Sequence, residues 1–419
     1  MKSVASALRA AHSEDQLYLL LAKRNSGSFT YDGIERGGER VCLEIEEELE
    51  LIRSRGGKIT KLSIVGYSLG GLVARYAVGL LYAKGVLDQV EPINFTTFAT
   101  PHLGVRTPLR GWHNDIWNVL GARTLSTSGA QLFTIDDFRS TGRPLLAILA
   151  DPDTIFMSGL ARFRRRTLYT NVVNDRSAVY YTTAITKHDP YTDVSRLKPN
   201  YLPRYAPVIL DPTHPVTPAP PRPRPRTWGE VLEVGTGYAR AAPLVLALAL
   251  FVPLGVTAFL LNALVQTVRS SKRIRAHETG VAGVPVADYR GMPLWYKELR
   301  GTVEDAYENL ASAQGQSYLT PADSSEDEED EDGDGGKGEE EEILALERRQ
   351  SHPQFPTLAL TPAQFAMIKA LDQVGWRKYP VWIHECRHSH AAIIVRSDAA
   401  RFKEGHVVLR HWTKEEFLI

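Results

Sequence analysis

Residues 59–83 read ITKLSIVGYSLGGLVARYAVGLLYA, and they carry the clearest structural pattern in the chain. A β-branched run typical of a buried strand passes through GYSLG into an apolar helical pattern. The G-x-S-x-G spacing between a strand and a helix predicts a nucleophile elbow with Ser68 at the turn. We expect strained backbone dihedrals at Ser68, with glycine at Gly66 and Gly70 because side chains there would clash.

The helix after the turn adds the second part of this chemistry. Its first backbone N–H groups and the positive end of its dipole point to where an oxyanion would develop. The Leu69 N–H is therefore the predicted oxyanion donor. An ordinary glycine-rich turn with a capping serine is the alternative interpretation of the same residues.

The surrounding sequence alternates between strand-like and helix-like runs over residues 1–215. The strand-like runs cover 59–65, 93–99 and 168–173, and the helix-like runs cover 44–52 and 72–83. Such alternation predicts an α/β protein with a mostly parallel sheet and helices on both faces.

A nucleophilic serine needs a histidine base and a carboxylate that orients the base. Asp175 follows the predicted strand 168–173 at the end where open α/β sheets bind ligands. Four other acids have no equally clear strand before them: Asp136, Asp137, Asp189 and Asp193. For the base, the run HSHAAIIVR offers both His388 and His390, and spacing does not choose between them. Four other histidines are interpreted as structural: His102, His113, His188 and His352.

Four blocks in this order resemble the putative serine esterase family of α/β-hydrolases, nearest to its fungal lipid-droplet phospholipase branch. They are GYSLGGLVARYA, FATPHLGV, YTNVVNDRSAVYYTTAI and HSHAAIIVR, within about residues 1–200 and 375–400. The resemblance implies that Ser68 is the nucleophile, Asp175 the acid and His390 the base. It implies hydrolysis of acyl esters of phospholipids or acylglycerols through an acyl-enzyme intermediate. We expect no cofactor and no metal.

The start of the chain departs from the family pattern. The family opens with a strand that carries a His-Gly motif and supplies another oxyanion donor, whereas this chain begins MKSVASALRAA. We therefore expect an N-terminally truncated α/β-hydrolase fold. A catalytically weakened, membrane-bound interaction module is the alternative function.

A competing motif lies close to the predicted base. Residues 384–388 fit H-E-x-x-H, which binds zinc when both histidines share one helix face. The preceding residues 380–383, PVWI, favour a strand instead. The serine hydrolase is thus the preferred interpretation.

A long apolar run predicts contact with a membrane. Residues 241–268 contain no charged side chain and are long enough to span a bilayer as a helix. A single crossing would separate Ser68 and Asp175 from the histidine, so we expect a hairpin that turns near residues 253–255, or an interfacial segment. Both ends would face the cytosol, at a membrane or a lipid-droplet monolayer. Four basic residues after the run would lie at the headgroups: Arg269, Lys272, Arg273 and Arg275.

Composition sets the remaining limits. The 49 basic and 49 acidic side chains balance, which argues against nucleic-acid binding. Residues 323–342 are strongly acidic, with 13 acidic side chains and one lysine. The two cysteines, Cys42 and Cys386, are too few for a disulfide framework. We expect four regions: a core over 1–214, a Pro-rich spacer and anchor over 215–300, an acidic disordered insertion over 301–355, and a final core segment over 356–419.

Overall fold

The computed structural model describes residues 1–105, 126–219, 265, 268–295, 358 and 360–419. The centre of this part is a parallel sheet in the order β1-β2-β3-β6, made of Lys61–Tyr67, Glu91–Phe98, Arg165–Asn171 and Trp376–Val381. A separate antiparallel pair consists of β4 (Leu197–Pro199) and β5 (Val216–Pro218). Because β6 comes from the C-terminal segment, the two ends of the chain share one sheet.

Helices connect and cover the strands. They are α1 Lys2–Ala11, α2 Ile34–Ser54, α3 Leu69–Ala83, α4 Val86–Gln89, α5 Thr127–Leu132, α6 Leu145–Ala150, α7 Ile155–Ala161, α8 Tyr180–Ala184, α9 Val286–Arg290, α10 Pro362–Gln373, α11 Ser389–Ala392 and α12 Lys403–His411. Short 3₁₀ turns cover Gly27–Tyr31, Phe138–Ser140, Pro190–Arg196 and Ala400–Phe402, and a π-helical turn covers Trp412–Glu416. Helix α10 begins with a capping box between Thr361 and Gln364.

Alternate residues of the strands enter two separate cores. Phe95 and Leu168 pack with residues of α2, α3 and α10 on one face of the sheet. Phe98 and Tyr169 pack with residues of α1 and α12 on the other. This two-residue period is that of strands buried on both faces. The predicted α/β class, with a mostly parallel sheet and helices on both faces, is confirmed.

The proline-rich segment is partly sheet. Val216–Pro218, at the start of the expected Pro-rich spacer, pairs with Leu197–Pro199. Only two strands meet here, and an edge position tolerates a residue such as Pro218 that has no N–H. Residues 220–226 lie outside the described part.

Residues that follow the apolar run pack on α2 through a buried ionic network. Asp32 is fully buried. It accepts hydrogen bonds from Arg40 at 2.9 Å, Ser270 at 2.7 Å and Arg273 at 2.8 Å. The Phe29 ring contacts both guanidinium groups, with centroid distances of 5.0 and 5.1 Å. Arg273 is therefore held by the core rather than at a lipid headgroup.

A buried acid within α2 extends this network. Glu39 lies 2.6 Å from the His277 ring and 3.2 Å from Arg290, and the side chains of Glu39 and His277 are both fully buried. Together with the Asp32 contacts, these pairs hold residues 270–290 against the same folded core that contains Ser68. The expected headgroup residues Arg269, Lys272 and Arg275 are exposed.

Two predicted regions fall largely outside the described residues. The membrane segment 241–268 is described only at Val265 and Val268, and the acidic region 301–355 is not described. Within the described ranges, no helix combines the length and apolar character needed to cross a membrane. Cys42 and Cys386 are both buried and free.

Candidate active site

Ser68 lies at the junction of β1 and α3, in the turn that the sequence predicts. Its dihedrals, φ 54° and ψ −132°, are the strained values expected of a nucleophile elbow. Its N–H donates to the Phe98 carbonyl at 2.9 Å, and its own carbonyl accepts from the Gly71 N–H at 3.0 Å. The end of β2 and the first turn of α3 therefore hold the serine backbone.

Close approach of α3 to β1 explains two of the glycines at this turn. A Cβ on Gly66 would lie 2.4 Å from the Gly71 Cα, and one on Gly71 would lie 2.1 Å from the Thr100 Oγ1. At Gly70 an added Cβ would meet nothing within 4 Å. The expectation that crowding requires glycine is thus correct for Gly66 and wrong for Gly70; Gly71 is the crowded position.

Asp175 follows β3 and has a fully hydrogen-bonded carboxylate. One oxygen accepts from the backbone N–H groups of Ser177 and Ala178, both at 2.9 Å. The other accepts from the Asn171 side-chain amide at 2.8 Å and lies 2.9 Å from the His390 Nδ1. These partners fix the carboxylate in one orientation, and its side chain is only 2% exposed.

His390 lies on α11 between the acid and the serine. Its Nδ1 is 2.9 Å from Asp175 and its Nε2 is 2.9 Å from the Ser68 Oγ. With Nδ1–H donating to the carboxylate, Nε2 is left as an acceptor for the serine hydroxyl. The structure thus brings the three predicted side chains together and chooses His390 over His388.

Tyr67 is a site residue that sequence reasoning missed. Its hydroxyl donates to the His390 backbone carbonyl at 2.9 Å, and the two rings lie 5.1 Å apart. Burial raises the Tyr67 pKa to about 12, so the hydroxyl keeps its proton at neutral pH. The only sequence signal was its place beside Ser68, because the position between glycine and serine in G-x-S-x-G is variable.

The rival acids have local roles. Asp136 accepts from the Leu145 N–H, and Asp137 from the Gly142 N–H. Asp189 caps the turn at Tyr191, and burial raises its pKa to about 6. Asp193 accepts from Ser195.

The predicted oxyanion donor, the Leu69 N–H, lies at the start of α3. Leu69 is the first residue of α3, and the first N–H groups of a helix have no intrahelical acceptor. Its N–H lies one residue from Ser68, at the positive end of the α3 dipole. Its role in the reaction stays a prediction.

The H-E-x-x-H run does not form a zinc-binding helix. Residues 384–388 have neither helical nor strand structure. His384 stacks on Trp382 and lies 3.1 Å from Glu404, while Glu385 pairs with Lys403. Among the described residues, no group of three or more His, Cys, Asp or Glu side chains is placed to hold a metal ion.

His102, interpreted as structural, is fully buried. Its Nε2 lies 3.1 Å from the Thr97 Oγ1, and its ring packs on Trp376. Burial lowers its pKa well below the usual value, which keeps the imidazole neutral. His113 and His352 lie outside the described residues.

Comparison with known proteins finds similarity in the N-terminal part of the chain. Residues 1–188 match the family model described as "Putative serine esterase (DUF676)". The match covers less than half of the chain. The matched segment contains Ser68 and Asp175, whereas His390 comes from the C-terminal part of the chain.

Three yeast proteins illustrate the similarity. "Putative lipase ROG1" of Saccharomyces cerevisiae is 35% identical over 193 residues, which is 45% of this chain and 26% of that protein. "Putative lipase YDL109C" of the same yeast is 36% identical over 30% of this chain and 19% of its own length. "Putative lipase C4A8.10" of Schizosaccharomyces pombe is 34% identical over 30% of this chain and 16% of its own length. The match thus spans about a quarter or less of each relative. No solved structure matches the chain.

Proposed function

We propose that this protein is a serine carboxylic-ester hydrolase that acts on acyl esters of lipids, either phospholipids or acylglycerols. The observation that carries the proposal is the continuous hydrogen-bonded series from Asp175 through His390 to Ser68, with both distances 2.9 Å. This arrangement activates a serine for attack on a carbonyl. The names of the yeast relatives support an ester of a lipid as the substrate.

In the proposed reaction, the Ser68 Oγ attacks the ester carbonyl while its proton passes to the His390 Nε2. Asp175 stabilises the resulting imidazolium through Nδ1–H. The negative charge on the carbonyl oxygen develops beside the Leu69 N–H at the start of α3. His390 then gives the proton to the leaving alcohol, and an acyl-enzyme on Ser68 remains. Water, deprotonated by His390, releases the fatty acid and restores the hydroxyl.

We also propose that the protein works at the cytosolic face of a membrane or on a lipid droplet. The support is the uncharged run 241–268 together with the placement of its flanks. The chain leaves the described core after β5 and returns at residue 268, where Ser270 and Arg273 contact Asp32. An anchor within 241–268 would therefore have both ends on the side that holds the active site.

Comparing the hydrolysis rates of the full chain and of its Ser68→Ala variant tests the proposed activity. The full chain should hydrolyse a soluble short-chain ester and a dispersed phospholipid or diacylglycerol. The variant should lose at least about 10³-fold in kcat if the serine is the nucleophile. Equal rates for the two proteins, at equal thermal stability, would contradict the proposal and favour an interaction module.

A further inference from the structure

The chain forms a helix over residues 268–278, directly after the uncharged run, and we call it the return helix. Near its start, Arg273 donates to Asp32 at 2.8 Å, just before α2 begins. Further along, His277 lies 2.6 Å from Glu39, which is within α2. The return helix and α2 therefore run in the same direction, and the return helix begins beside the amino end of α2.

Helix α2 in turn runs in the same direction as α3. A Cβ added at Gly37, early in α2, would lie 3.0 Å from the Val73 side chain, early in α3. Later in both helices, Glu46 pairs with Lys84, which directly follows α3. The amino ends of the two helices thus lie at the same end of the molecule. Because Ser68 directly precedes α3, the return helix also begins at the end that holds the candidate active site.

Exposed apolar side chains lie at this end of the molecule. Phe29, in the turn before α2, is 39% exposed, and its ring centroid lies 5.1 Å from the Arg273 guanidinium. Arg273 also donates to the Ser28 carbonyl at 2.9 Å, so the turn and the return helix are in direct contact. Val268, the first residue of the return helix, is 50% exposed. It is also the last residue of the uncharged run 241–268.

Three basic side chains lie on the outer face of the return helix: Arg269, Lys272 and Arg275. All three are exposed, and their spacing of three residues places them along one side of the helix. The one acid of residues 268–278 is Glu278, and it pairs with Arg36 of α2. The outer face is therefore positively charged, and positive charge next to exposed apolar side chains suits a layer of anionic lipid headgroups.

We propose that Phe29, Val268 and the three basic side chains form a docking surface for an anionic phospholipid layer, and that docking turns the end of the molecule with Ser68 toward that layer. The proposal rests on the proposed location at a lipid surface and specifies which side of the protein meets the lipid. A lipid layer is favoured over a protein partner because the uncharged run ends at Val268, within this surface. A lipid substrate would then lie on the same side as the nucleophile.

A fluorescent dye on an introduced cysteine tests the docking surface in the full chain. The native Cys42 and Cys386 are buried, so the dye can be attached selectively at Thr30→Cys, an exposed position next to Phe29. The chain is mixed with vesicles of phosphatidylcholine and phosphatidylserine that contain a lipid with a quencher. The dye at residue 30 should lose most of its emission, because docking brings it to the headgroups.

The matched control is the same dye at Leu51→Cys. Leu51 is exposed and lies about 25 Å along α2 from the start of that helix, at about 1.5 Å per residue. A dye at this position should keep its emission. Equal quenching at residues 30 and 51 would show that the bound chain has no fixed orientation, which contradicts the docking surface.

Removal of positive charge tests the headgroup contact. In the labelled chain, Arg269→Gln combined with Lys272→Gln should raise the vesicle concentration that gives half of the quenching about twentyfold, since each basic side chain near an anionic surface contributes about fivefold to binding. Arg53→Gln combined with Arg55→Gln removes two exposed arginines at the other end of α2 and should leave this concentration unchanged. Equal shifts in the two double variants would mean that only net charge matters, and would contradict the surface.

Two further outcomes separate this proposal from the proposed function, because quenching needs no turnover. If the chain binds vesicles but the dye at residue 30 keeps its emission, the docking surface is wrong, this face is left to a protein partner, and the esterase is unaffected. If the chain does not bind vesicles at all, both the docking surface and the location at a lipid surface are wrong. Hydrolysis of a soluble ester, measured separately, decides the esterase in either case.

Discussion

The Tyr67 hydroxyl donates a hydrogen bond to the backbone carbonyl of His390, 2.9 Å away and 323 positions later in the chain. Tyr67 is the last residue of β1, and His390 lies on a short helix from the C-terminal segment. The bond therefore connects the strand that ends beside Ser68 to the helix that carries His390. It makes the position of the base depend on a residue next to Ser68.

Replacing Tyr67 by phenylalanine should lower kcat about fivefold on a soluble ester. The reason is that one hydrogen bond of about 1 kcal/mol no longer holds His390 in place. Steady-state kinetics and a thermal unfolding curve should be measured together. Tyr31→Phe, at an exposed tyrosine, is the control and should match the parent. If Tyr67→Phe and Tyr31→Phe were equally active, the bond would have no positioning role.

Asp175→Asn should reduce kcat about 10⁴-fold at neutral pH, because the amide no longer favours the tautomer that leaves Nε2 free. The control is Asp189→Asn, which also follows β3 in the sequence and caps a nearby turn. An asparagine keeps a cap of that kind, so this variant should retain activity. A stronger loss in Asp189→Asn than in Asp175→Asn would mean that the acid is wrongly assigned.

Gly71→Ala should destabilise the fold by about 1–3 kcal/mol, since its Cβ would meet the buried Thr100 side chain at 2.1 Å from Oγ1. Gly70→Ala, one residue earlier, should fold with nearly the parent stability because no atom lies within 4 Å of the added carbon. Urea unfolding of the two variants gives the comparison. A larger loss at Gly70 would show that the packing of α3 on Thr100 is not as described.

Asp32→Asn should cost about 3–5 kcal/mol of unfolding free energy, because Arg40 and Arg273 would lose their shared buried carboxylate. The comparison is Asp88→Asn, which breaks a pair with Arg162 whose side chains are 43% and 64% exposed. Exposed pairs contribute at most about 1 kcal/mol. Limited proteolysis should also cut residues 268–295 faster in Asp32→Asn. Equal stability of both variants would mean that the network does not hold this segment on α2.

Local patterns predict the elbow and the sheet well. Strand, turn and helix around Ser68 follow from consecutive residues, and so do the strands that became β2 and β3. The helix α2 runs well beyond the predicted 44–52, over Ile34–Ser54, because its first turn is held by a distant segment: the Ile34 N–H donates to the Gln131 side-chain oxygen at 2.7 Å.

The parts that sequence could not predict are pairings between distant residues. Spacing does not distinguish His388 from His390. His388 is the N-cap residue of α11. The ring of His390 lies between Asp175 and Ser68, both more than 200 positions earlier in the chain. Asn171 beside Asp175 and Tyr67 beside His390 have no motif of their own. The contact of Asp32 with Ser270 joins residues 238 positions apart, and only the folded chain shows it.

The central claim is that Ser68 is a nucleophile activated by His390, and covalent labelling tests it most directly. The full chain is treated with a fluorophosphonate, and the modified peptide is identified by mass spectrometry for the parent and for His390→Gln. We expect stoichiometric modification of Ser68 in the parent and slowing by at least about 10²-fold in His390→Gln. Absence of modification at Ser68 in the folded parent, or the same rate in both proteins, would contradict it.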